Sequence, residues 1–168
     1  MAIGDRLLAE FDLELATTNR LLDRADTLPC AWRPHPRSRS MGELLAHLAD
    51  VPAWGLRILD HLTVDLAQLP APTKAADAAT LRTHFRDGCR VVRGRLLRTD
   101  AELMAVWRLT RGDDDVYTMP RSTAFRRLVL NHLVHHRGQL SVYVRMCGLA
   151  DAPHDETEVD PGDYAPST

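Results

Sequence analysis

The stretch His132-Leu133-Val134-His135-His136 puts three imidazoles within one and a half helical turns, in a chain with eight His. His132 and His136 are spaced i, i+4, so on a helix both face the same way. On an ideal wheel of about 100° per residue with Phe125 at zero, His132 falls at about 340° and His136 at about 20°. Val129, Gln139 and Tyr143 fall on the same stripe. This predicts His132 and His136 at the centre of a core-facing stripe, with Gln139 and Tyr143 facing inward and His135 at the edge. Arg126, Arg127, Arg137 and Arg145 fall on the opposite face, so Arg137 reads as outward and non-catalytic, with a role in a dimer or between helices. A buried neutral imidazole still has a donor and an acceptor to satisfy. Two chemistries meet that need: hydrogen bonds to neighbouring helices, or a divalent metal shared by both rings.

A metal needs a third ligand from elsewhere. His47 is the best placed, on the flank of the second helix's apolar stripe. His61 and His84 compete from helices, and His35 and His154 from loops. Glu43 lies one turn before His47 and Asp50 nearly one turn after. Either can take the far N–H of a ligating imidazole, or both can be solvated surface. Other chemistries lack their signatures. No H-E-x-x-H occurs, and no Glu is followed by His three positions later, which argues against a zincin protease and a di-iron bundle oxidase. Glycine-rich nucleotide loops and G-x-S-x-G are also missing. Cys30, Cys89 and Cys147 are odd in number and widely spaced. They read as free thiols in a reducing cytoplasm, and Cys147 as core.

The elements that must position these His are helical almost throughout. Leu8, Leu15 and Leu22 repeat at heptad spacing in a first helix from about Ile3 to Ala25. Pro29 ends it, and Cys30 to Arg39 reads as loop. Ser40 and Glu43 form a capping box that opens a second helix, with Pro52 inside it. Residues 69–79 read as a crossover linker. A third helix from about Thr80 to Arg98 carries Leu81, Phe85, Gly88, Val92 and Leu96 on one stripe. Residues 100–119 read as a short helix from Ala101 and a small hairpin around Arg111–Asp115. The last helix follows Pro120 and runs to about Cys147, with Gly148 just past its end. The expected fold is all-α: a four-helix bundle with a long crossover between helices 2 and 3. It spans residues 1–149, and an acidic, irregular C-terminal tail occupies 150–168.

The chain has 168 residues, 45% apolar and 26% charged, enough for one domain that folds without a disulfide or zinc staple. Lys+Arg is 21 and Asp+Glu 23, giving −2, so no basic excess points to nucleic acid. Lys74 is the only Lys among the 21 basic residues, a bias that hints at a GC-rich bacterial genome. No apolar run approaches membrane-spanning length and no signal-peptide core opens the chain. A cytoplasmic protein is expected.

His132 to Gln139, HLVHHRGQ, with Tyr143 to Gly148 after it, resembles the last-helix signature of the DinB/YfiT-like superfamily. Glu43 to His47, ELLAH, with Trp54 a little later, is similar to that family's second-helix ligand motif. The resemblance covers essentially the whole chain to about Gly148. It implies a four-helix bundle and a mononuclear divalent metal, zinc or nickel, held by His47, His132 and His136. It also implies a homodimer, and among characterised relatives thiol S-transferases and a thiol-dependent isomerase. The acidic ending departs from the family pattern.

Three neutral His leave coordination positions open, as in catalytic sites. The expected function is therefore a metal-dependent transferase, acting on a low-molecular-weight thiol, or a hydrolase, on a small-molecule substrate. Gln139 and Tyr143 are candidate pocket residues. The alternatives are a non-catalytic metal- or small-ligand-binding stress-response protein, and a bundle whose His serve only stability.

Overall fold

The computed structural model describes residues 1–25, 29–74 and 77–148. The acidic ending, with its tail boundary and His154, lies outside them.

Helix α1 (Ile3–Ala25) buries Leu7, Phe11, Leu15 and Leu22 along one stripe. The capping box opens α2 (Met41–Asp60) as its residues dictate: Glu43 N donates to Ser40 Oγ at 3.2 Å and Ser40 N to Glu43 Oε2 at 2.6 Å. The helix continues through Pro52. Helix α3 (Ala78–Leu96) starts at the Asp77 cap and buries Leu81, Phe85, Cys89, Val92 and Leu96. Gly88 lets it approach α2 closely, since a Cβ there would lie 2.8 Å from Pro52 Cβ. Thr99 and Glu102 cap the short α4 (Asp100–Met104).

The expectation of an all-α fold needs correction. β1 (Thr63–Asp65), β2 (Val106–Arg111) and β3 (Asp114–Pro120) form a three-stranded sheet in the order β1-β2-β3. The β2–β3 hairpin is the one the sequence suggests, turning at Gly112 with φ +60°. Strand β1 is unexpected. It pairs parallel to β2, Val64 opposite Leu109, and has only three residues of its own. Pairing across the intervening chain, not local pattern, makes it a strand. A 3₁₀ turn (Leu66–Gln68) follows, so the linker to α3 starts from a sheet edge.

The last long helix is built from α5 (Arg121–Phe125), a π-helical turn (Arg126–Leu130) and α6 (Asn131–Met146), with helical backbone angles through both junctions. A π turn holds about one extra residue, which rotates everything after it by roughly 100° against a uniform wheel. Val129 and Leu130 are both buried as a result, and the stripe continues at Leu133, His136, Leu140 and Val144. This corrects three expectations. His132 sits half-buried on the stripe's flank instead of at its centre. Gln139 is exposed and Tyr143 half-buried. Arg137 turns inward to pair with Glu14 of α1.

The four long helices pack α1 on α3 and α6, and α2 on α3 and α6. Their shared core holds Phe11, Phe85 and Phe125, with Trp107 of β2 also fully buried. No helix among the described residues is long and apolar enough to cross a membrane.

Candidate metal centre

His47 comes from the second turn of α2, and His132 and His136 from the first two turns of α6. The two helices pack on each other. Their register is held by the loop before α2. Met41 N donates to Trp32 O at 2.8 Å and Gly42 N to Cys30 O at 2.9 Å. The Tyr143 hydroxyl donates to Arg39 O at 3.2 Å, and its ring meets Trp32 edge-on at 5.4 Å. Tyr143 therefore clamps the loop to α6.

The three rings converge on their Nε2 atoms. His132 Nε2 lies 2.8 Å from His47 Nε2 and 2.9 Å from His136 Nε2. One ligand atom from each of the three lies within 4.8 Å of the others. Gln139 Oε1 lies 2.7 Å from His136 Nδ1. A carboxamide oxygen accepts, so Nδ1 carries the proton and Nε2 presents a lone pair. A single proton on His132 Nε2 can point at only one of its two neighbours. Neutral rings alone therefore cannot hydrogen-bond across both contacts. A cation accepting all three lone pairs resolves this, and three imidazoles are a donor set that suits zinc or nickel.

The electrostatics favour the neutral, ligating form. Burial, then the positive charge of Arg39 and the neighbouring rings, push the pKa of His47 down to about 4. Burial and the neighbouring His push His132 down to about 4 as well. Burial lowers His136, with the Gln139 hydrogen bond opposing it.

The remaining candidates are placed elsewhere. His135 touches the His136 ring at 4.8 Å but is exposed and outside the cluster. Glu43 is occupied by its cap and by Arg33, 3.5 Å away. Asp50 accepts from Thr73 N at 2.9 Å and Thr73 Oγ1 at 2.5 Å, which ties the linker to α2, and its charge acts on His47 without a hydrogen bond to it. His35 accepts from Arg37 N, His61 ends α2, and His84 stands 4.0 Å from Asp50. Burial pushes the Cys89 thiol far up, and Cys147 up as well, so neither is an activated nucleophile.

A cleft of about 600 Å³ opens beside His47, within the range of small-molecule sites. Its walls include Arg33, Arg37 and Arg39 of the loop and Glu43, His47 and Asp50 of α2. Residue spacing alone does not single out these arginines. Their only local signal is the run Arg33-Pro34-His35-Pro36-Arg37-Ser38-Arg39, which reads as an ordinary basic loop.

The family model described as the DinB family matches residues 15–162. The chain belongs to the DinB family. A DinB-like protein of Bacillus subtilis, YjoA, has a similar crystal structure, with a TM-score of 0.65 over 85% of this chain and 92% of that one. At 20% identity this likeness shows a shared DinB-like fold. No functionally curated protein matches the sequence. The two DinB-like motifs in this chain are the two segments whose imidazoles meet.

Proposed function

We propose that this DinB-family chain holds one divalent ion, zinc or nickel, on His47, His132 and His136. On this reading it acts on a small-molecule substrate as a transferase of a low-molecular-weight thiol or as a hydrolase. The observation that carries the reading is the meeting of three Nε2 atoms beside an open cleft. An ion held by three His supplies a Lewis acid with positions left open to a substrate or water. The chain's own residues do the rest. Gln139 fixes the His136 tautomer. Burial and Arg39 keep the imidazoles unprotonated at neutral pH. The Tyr143 clamp holds the cleft wall in place. The cleft separates this reading from that of a closed site serving stability alone, because a purely structural ion needs no adjoining space for a ligand.

The same reading takes the four long helices as a bundle, with β1 in the crossover and the β2–β3 hairpin between α3 and the last helix, in a cytoplasmic homodimer. Val134 and Val142, exposed on α6, fit such a contact. Light scattering at micromolar concentration tests the dimer, and a single species at 18.8 kDa overturns it. The central test is the metal content of untagged protein, followed by thermal shift against low-molecular-weight thiols. About one equivalent of metal per chain is expected, with thiols stabilising only the metal-loaded form. Protein that takes up no divalent metal at neutral pH overturns the reading.

A further inference from the structure

We infer that the substrate of this site carries a carboxylate, which Arg37 and Arg39 bind on the wall of the cleft while the rest of the molecule faces His47. The inference rests on the reading of the three-His cluster as the reacting centre, and it names the class of substrate. Three observations carry it.

First, the cleft is unequally charged. Arg33 is paired with Glu43, and Asp50 is satisfied by Thr73. Arg37 and Arg39 have no carboxylate within ion-pair distance among the described residues, whereas Arg86, Arg93, Arg98, Arg108 and Arg126 each have one. Unpaired guanidiniums in a concave wall suit a planar, two-oxygen anion.

Second, the loop that carries them is fixed. Ser38 N donates to His35 O at 2.8 Å, Arg37 N to His35 Nδ1 at 3.1 Å, and Tyr143 holds Arg39 O. Ser40, next in the chain, is the buried cap of α2. A site whose backbone is already ordered loses less entropy on binding.

Third, Arg37 and Arg39 line the same cleft as His47, whose Nε2 lies 2.8 Å from His132 Nε2. An anion on Arg39 therefore lies within reach of the metal ligands, and one small molecule can engage both.

The test uses the full chain loaded with cobalt(II), whose absorption reports a bound thiolate. It compares 3-mercaptopropionate with its neutral amide, 3-mercaptopropionamide. The wild type should bind the carboxylate about tenfold more tightly, the size of one charge-assisted contact. The double variant Arg37→Gln/Arg39→Gln should still take up one equivalent of cobalt and should reduce that preference to within about twofold. Equal binding of the two thiols by the wild type, or a preference that survives in the double variant, overturns the inference. If neither thiol reaches the cobalt, the thiol reading fails separately, and calorimetry with succinate then decides the carboxylate site. Succinate binding that the double variant loses upholds it. Absence of binding in the wild type, or equal binding in both proteins, sinks it.

Discussion

Gln139 Oε1 stands 2.7 Å from Nδ1 of His136, the ring nitrogen turned away from His47 and His132. The amide sits one turn further along the same helix and sets which nitrogen of His136 faces the cluster. Partners of this kind are worth about 10–100-fold in metal affinity. Gln139→Leu should weaken zinc binding by about tenfold in a chelator competition, while Gln139→Glu, which keeps an acceptor, should hold it within about threefold. An unchanged affinity in Gln139→Leu would show that the tautomer is set by something else.

The core should fold without metal, since the buried stripes of the four long helices are made mostly of aliphatic and aromatic side chains. Metal at about 100-fold over Kd should add about 2.7 kcal/mol. For a chain of this size that raises Tm by roughly 5–11 °C. Scanning calorimetry after chelation should show a cooperative, helical transition lowered by that amount. His136→Ala should lose most of the response to metal, and His135→Ala should keep it. Outright unfolding on chelation would make the site structural.

The depressed imidazoles predict acid sensitivity with a definite sign. His47 and His132 titrate at about 4 in the folded chain, against an ordinary value of 6.5. Between those values the unfolded chain binds more protons than the folded one. The apo protein should therefore be most stable above about pH 6.5 and lose stability as pH falls toward about 4. Metal affinity should fall across the same window, because protons compete for the same lone pairs. Urea midpoints at several pH values check this. His47→Gln should flatten the slope, and an unchanged slope would remove His47 as its source.

Two glycines of α3 should respond oppositely to alanine. A Cβ at Gly88 meets Pro52 Cβ at 2.8 Å, whereas at Gly94 nothing lies within 4 Å. Gly88→Ala should cost about 1–3 kcal/mol through overpacking. Gly94→Ala should stabilise by about 0.5–1 kcal/mol, because it removes backbone freedom from the unfolded chain. Denaturant midpoints for the pair test whether α2 and α3 touch at Pro52. Stabilisation by both substitutions would contradict the close approach.

Much of the architecture depends on interactions between residues a few positions apart, and these are legible in one dimension. Ser40 with Glu43, Thr99 with Glu102, the stripe from Leu81 to Leu96 and the turn at Gly112 are all of this kind. So is the i, i+4 spacing of His132 and His136, because one helical turn brings them together whatever the rest of the chain does. Other features depend on partners distant in sequence. β1 exists because Leu109 pairs with Val64. Arg137 points inward because Glu14 waits on α1. The π turn at Arg126–Leu130 shifts His132 off the centre of the buried stripe, which no uniform wheel can anticipate. That shift leaves His132 half-buried beside His47, which itself lines the cleft. Arg37 and Arg39 look like solvated loop until Tyr143 fastens their backbone next to that opening. Local spacing determined which imidazoles can work together, and long-range packing decided which way they face and what charge surrounds them.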